Sequence, residues 1–204
     1  RLGTSSIGMV CVDGVFILAD RRTEDKLIVQ KSANKIHEID EHIIASVAGI
    51  ISDARVLVER AQLISQQHRV TYDSPIEPES VIKEISNIKQ QFTQYGGARP
   101  FGVSMMLAGI NGKKPELFAS DITGNYLSYF ANAVGENDEK VKEQLREKYN
   151  KEFTIKKGVK LALDIFEDTQ GKRFDVRRFE LICIPLDKIK LVKIEGEKIR
   201  EFVK

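Results

Sequence analysis

Gln90–Gly112, QQFTQYGGARPFGVSMMLAGING, is the stretch from which the fold can be read. It leaves the end of an expected helix, breaks at Gly96-Gly97, turns through Arg99-Pro100 and enters an apolar run from Phe101 to Ile110. Ser104 carries the only side-chain hydroxyl of that run. A strand with one wet face alternates apolar and polar residues, and this one does not, so it is expected to be covered on both faces. Gly102 and Gly109 predict close backbone approach or a bend within it. Such a strand needs one layer above it and one below.

The rest of the chain supplies those layers. Ser6–Val12 and Val15–Asp20 flank Asp13-Gly14, a dipeptide suited to a two-residue hairpin turn. A second hairpin joins Asn34–Ile39 to Ile43–Ala48 through a turn near Asp40-Glu41, and Gly49 ends it. Ser52 is the expected N-cap of a helix running from Asp53 to about His68, with Ala54, Leu57, Ala61 and Ile64 on one stripe. Pro78 opens a second helix, in which Val81, Ile85, Ile88 and Phe92 recur at helical spacing. Asn111-Gly112 predicts a tight hairpin with its return strand at Glu116–Ser120. Asp121–Gly124 predicts a type I turn, and Tyr126–Val134 an extended segment. Two helices follow, one marked by Val141, Leu145 and Tyr149, the other capped by Thr154 and buried along Ile155, Val159, Ala162 and Phe166. Arg178–Ile184 and Lys190–Ile194 are a final strand pair, and Lys198–Val203 a short helix. Strands clustered between pairs of helices predict an α+β, four-layer αββα sandwich: two antiparallel sheets between helix layers.

Bulk composition narrows the function. With 32 basic and 30 acidic residues in 204, the formal charge is only +2, which argues against a dedicated nucleic-acid or membrane surface. The two cysteines, Cys11 and Cys183, lie in apolar strand-like runs and are expected to be buried, inert thiols in a reducing compartment, the cytoplasm. His37, His42 and His68 lack ligand spacing, so neither a metal nor another cofactor is expected.

Thr4 is the sharpest chemical candidate, with Asp20, Arg22 and Lys35 downstream. In this architecture an N-terminal Thr attacks as a nucleophile, using its own α-amine as base and a nearby Lys for electrostatics. Here Arg1-Leu2-Gly3 precede Thr4, and an amide nitrogen is no base.

Several motifs together resemble a proteasome α subunit of archaeal type. They are Gly3-Thr4-Ser5-Ser6-Ile7-Gly8, Asp13-Gly14-Val15, Asp20-Arg21-Arg22, Lys35-Ile36, Gly49-Ile50-Ile51-Ser52-Asp53-Ala54-Arg55 and Gln94–Gly102. The resemblance runs from Arg1 to about Ala162 and fades from Asp168 onward. It implies the Ntn-hydrolase sandwich, and it separates the α class from the β class, which is the peptidase. Thirteen positions separate Arg22 from Lys35, as in α chains. Glu136-Asn137-Asp138 stands where active β chains carry Gly-Ser-Gly, and Asp168-Thr169-Gln170-Gly171 does not match the β-type Asp-x-x-Ser-Gly.

On this resemblance residues 1–204 form one α-type domain, without the N-terminal helix and gate segment that family members carry ahead of the position of Arg1. The chain is then a non-catalytic subunit of a heptameric outer ring that seats β subunits, docks activator ATPases and admits unfolded protein. Thr4, Asp20 and Lys35 become relics of a shared ancestor. Lys35, Gly49 and Ile50 acquire another role, lining a pocket for the C-terminal carboxylate of an activator tail. The chemistry fits: a cation for the carboxylate, a bare glycine and an apolar wall. On residue type alone Lys35 is a solvated lysine at a strand end and Gly49 a strand terminator. The alternative reading is an active N-terminal threonine peptidase of β type with Thr4 as nucleophile. A third, an Ntn-fold amidase with another substrate, sits poorly with Gln94–Gly102.

Overall fold

The apolar run of the opening stretch lies at the middle of one of two stacked sheets. The computed structural model describes residues 3–22, 27–28 and 34–204. Arg1, Leu2 and most of the connection between Arg22 and Lys35 therefore lie outside the described residues. The first sheet contains β1 (Ser6–Cys11), β2 (Gly14–Asp20), β8 (Ala131–Val134), β9 (Phe179–Pro185) and β10 (Val192–Glu195), in the order β10-β9-β2-β1-β8. The second contains β3 (Ile36–Asp40), β4 (Ile43–Gly49), β5 (Val103–Asn111), β6 (Lys114–Ser120) and β7 (Tyr126–Ser128), ordered β3-β4-β5-β6-β7. Every strand pair is antiparallel.

Three apolar layers hold the sandwich together. On β5, Val103, Met105 and Leu107 face α1 (Ile51–Tyr72) and α2 (Pro78–Phe92), while Met106, Ala108 and Ile110 face the other sheet. On β2, Phe16 and Leu18 face outward and Val15, Ile17 and Ala19 face inward. The outer side of the first sheet is covered by α3 (Asp138–Lys148), α4 (Ile155–Gln170) and α5 (Glu197–Val203). Both central strands are thus buried on both faces, and the architecture is the expected αββα sandwich. Each fully buried Leu, Ile, Val, Phe or Met in these layers contributes about 1.5–3 kcal/mol before the entropy of ordering it. Cys11 and Cys183 are free and buried, with burial pushing their thiols up to about 12 and about 11.

Some local expectations shift. The first hairpin turns on Val12-Asp13 rather than Asp13-Gly14, because Gly14 already pairs with Cys11. Asp13 is held there by α4: its Oδ1 accepts the Ile155 amide at 2.7 Å. The third hairpin turns on Gly112-Lys113, since Asn111 pairs with Lys114. Tyr126–Val134 is not one strand but two, β7 in the second sheet and β8 in the first, so the chain changes layers there. Ser52 does not cap α1. The N-cap is Ile50, with no side-chain cap bond. The Gly102 carbonyl, which accepts the Ile50 amide at 3.0 Å, fixes that junction instead.

Candidate functional site

The ends of β1, β2 and β4 meet the start of β3 at one edge of the sandwich, and this brings Thr4, Asp20, Lys35, Gly49 and Ile50 into one neighbourhood. The Gly3 carbonyl accepts the Glu136 amide at 2.9 Å, and the Asp20 amide donates to the Ser5 carbonyl at 3.1 Å. The Thr4 hydroxyl donates to the Asp20 carbonyl, and the Ser5 hydroxyl to the Glu136 carbonyl. Thr4 is therefore stitched into backbone hydrogen bonds, and its nitrogen is an amide linked to Gly3.

Asp20 is buried and fully engaged. Its Oδ1 accepts the Arg22 amide at 2.9 Å, and its Oδ2 accepts Gln170 Nε2 at 3.1 Å and Arg178 Nη2 at 3.3 Å. Arg22 itself pairs with Glu136 at 2.6 Å. An aspartate held this way orients a guanidinium and an amide.

Lys35 is placed by Glu180, a buried acid in the apolar strand β9. One carboxylate oxygen accepts the Lys35 amide at 2.6 Å and the Ile36 amide at 3.0 Å. Burial raises the Glu180 pKa above the ordinary glutamate value. Among the described residues, the charged groups acting on the Lys35 ammonium are Asp20, Glu180 and Arg22. Burial lowers its pKa, partly offset by the charges of Asp20 and Glu180, with Arg22 lowering it further. A Cβ on Gly3 would stand 2.7 Å from Lys35 Nζ and 4.0 Å from the Gly49 nitrogen, so Gly3 leaves open the space between them.

Gly49 has φ +134°, and a Cβ there would lie 2.0 Å from the Gly102 carbonyl oxygen. Only glycine fits. The next residue, Ile50, donates its amide to that same oxygen at 3.0 Å while 45% of its surface stays exposed, and Ile51 is 83% exposed. A half-buried cation, backbone bared by two glycines and exposed isoleucines therefore share one edge. The sequence singled out Lys35, Gly49 and Ile50. It missed Glu180, Arg178 and Gln170, for which the one available signal was an acid inside the apolar run Phe179–Pro185.

Comparison with known proteins decides the family. A family model described as "Proteasome subunit" matches residues 1–181. The chain belongs to the proteasome subunit family. Proteins named "Proteasome subunit alpha" align with all of it: 36% identical from Methanothermobacter thermautotrophicus, covering 82% of that protein. The proteins of that name from Methanocaldococcus jannaschii and Pyrococcus abyssi are each 38% identical over the whole chain, covering 77% of theirs. The similarity thus continues past Asp168, where the motifs alone fade. The relatives are proteasome α subunits and the engaged Thr4 and Asp20 agree with them, so the chain is a non-catalytic, α-type proteasome subunit, and the β-like peptidase reading is not favoured. Among the described residues no helix is long and apolar enough to cross a membrane.

Proposed function

We propose that this proteasome subunit works in a heptameric outer ring in the cytoplasm, with peptide hydrolysis carried out by partner β subunits. Residues 1–204 act as one α-type domain, to which an upstream helix and gate segment belong in the working particle. The ring seats β subunits on one side and activator ATPases on the other, and unfolded protein passes through it. The observation that carries this reading is the bonding at Thr4, whose hydroxyl and preceding carbonyl are both tied into the fold. A nucleophile needs that hydroxyl free and a basic nitrogen beside it.

Lys35, Gly49 and Ile50 receive the C-terminal carboxylate of an activator tail. The half-buried ammonium of Lys35 and the exposed side chain of Ile50 support that role, the first for the carboxylate and the second for an apolar residue ahead of it. Native mass measurement of the full-length chain with and without β subunits tests the assembly. A mass corresponding to stacked rings is expected, and a monomer that ignores β subunits contradicts the proposal. Within the assembled particle, Lys35→Ala is expected to abolish stimulation by activator tails while leaving the rings intact. Unchanged stimulation would remove Lys35 from the site.

A further inference from the structure

Asp53, in the first turn of α1, reaches across the β4–α1 junction to the loop Gly96–Gly102. Its Oδ2 accepts Arg99 Nη1 at 2.7 Å and the Gly102 amide at 2.9 Å, and its Oδ1 accepts Arg99 Nη2 at 2.8 Å. Gly102 is gripped from its other end too, because its carbonyl accepts the Ile50 amide. A Cβ on Gly102 would stand 2.7 Å from Ile50 Cδ1 and 3.1 Å from Cγ1, so the Ile50 side chain lies across its bare Cα. Ile50 makes no side-chain cap bond, and Gly49, paired with Val103 at the end of β4, sits in a conformation open only to glycine. Beyond the β4–β5 pairing of Gly49, the Gly102 carbonyl holds the Ile50 amide, and Asp53, steered by Arg99, holds Gly102.

We propose that the Asp53–Arg99–Gly102 clasp positions the Gly49–Ile50 wall and thereby sets the affinity of the Lys35 site for a peptide carboxyl terminus. Arg99 is a positioning residue: it acts through Asp53 and Gly102. The inference rests on the tail-docking reading above. Bidentate guanidinium–carboxylate geometry fixes the carboxylate plane as well as its distance, which a single-point contact cannot do. Without Arg99, Asp53 keeps the Gly102 amide but loses its orientation. The loop then has two glycines, Gly96 and Gly97, whose Cα atoms face open space, where it can shift at little cost. The Arg99 side chain is 62% exposed, so its removal opens no core cavity.

The test uses the full-length chain assembled with β subunits and a fluorescein-labelled octapeptide with a free C-terminal carboxylate and Leu next to last. The same peptide with an amidated terminus is the control. Arg99→Ala and Asp53→Asn are each expected to weaken binding roughly tenfold, and Arg99→Lys to recover part of that loss, with the melting temperature of the Arg99 variants near that of the wild type. Lys35→Ala, run in parallel, separates the two proposals. If the wild type ignores the peptide, or Lys35→Ala binds it normally, the docking reading itself fails. If Lys35→Ala loses binding while Arg99→Ala keeps wild-type affinity, the clasp is overturned and the docking reading stands. Loss of affinity in Arg99→Ala that merely tracks loss of folded protein, with no recovery in Arg99→Lys, also overturns the clasp.

Discussion

Lys35 has a pKa below that of an ordinary lysine because burial disfavours its charged form more than Asp20 and Glu180 favour it. As pH rises it therefore gives up its proton earlier, while a peptide carboxylate stays ionised throughout. Affinity for a carboxylate-ended peptide should fall with rising pH below 10.5, and Lys35→Arg should flatten that fall, both readable by fluorescence anisotropy across the alkaline range. Gly49 makes a separate demand, steric rather than electrostatic. With φ +134° and a carbonyl oxygen where a Cβ would go, Gly49→Ala is expected to cost on the order of 2 kcal/mol, measured by urea unfolding against the wild type.

Among the elements, α4 depends on a group far away in sequence. The Asp13 carboxylate accepts the first helical amide at 2.7 Å, whereas Thr154, the N-cap, accepts the Lys157 amide at 3.5 Å. Asp13→Ala should therefore destabilise the protein by about 1–2 kcal/mol and Thr154→Ala by less, both from denaturant midpoints. Helix α2 carries a fully buried lysine: Lys89 Nζ donates to Ser120 Oγ at 3.1 Å and to the Asp121 carbonyl at 3.2 Å. Burial lowers its pKa to about 8. Below that value the folded state carries the full cost of a buried charge. Between about 8 and 10.5 the unfolded chain binds more protons than the folded one, so this group makes stability rise with pH. Comparison with Lys89→Met over that range should show the rise in the wild type and its absence in the variant.

These same elements show what the sequence could reveal. Strand β5 was legible because an unbroken apolar run has few homes other than the middle of a sandwich. The stripes of α2 and α4 were legible from their period. Turn positions slipped by one residue; in the first hairpin the turn residue Asp13 reaches α4, a contact no local pattern encodes. Ser52 was a plausible cap by type, yet the junction is governed by Gly102, some fifty positions on. The family's motifs singled out Lys35, Gly49 and Ile50, which the fold brings to one edge. Glu180 and Arg178 were not, since their roles arise only when β9 is laid beside β2.

For the whole molecule, the central claim is that this proteasome subunit keeps a hydrolase sandwich and uses it for assembly, not for catalysis. Thr4 and its neighbours are tied by bonds within the fold: Thr4 to the Asp20 carbonyl, Asp20 to Arg178 and Gln170, Gly3 to Glu136. The same edge carries the Lys35 ammonium beside the exposed Ile50 and Ile51. The most direct test is the intact mass of each subunit after the assembled particle is treated with a threonine-directed electrophile. The adduct is expected on the partner β subunit alone, with this chain unmodified; an adduct on Thr4 would contradict the account.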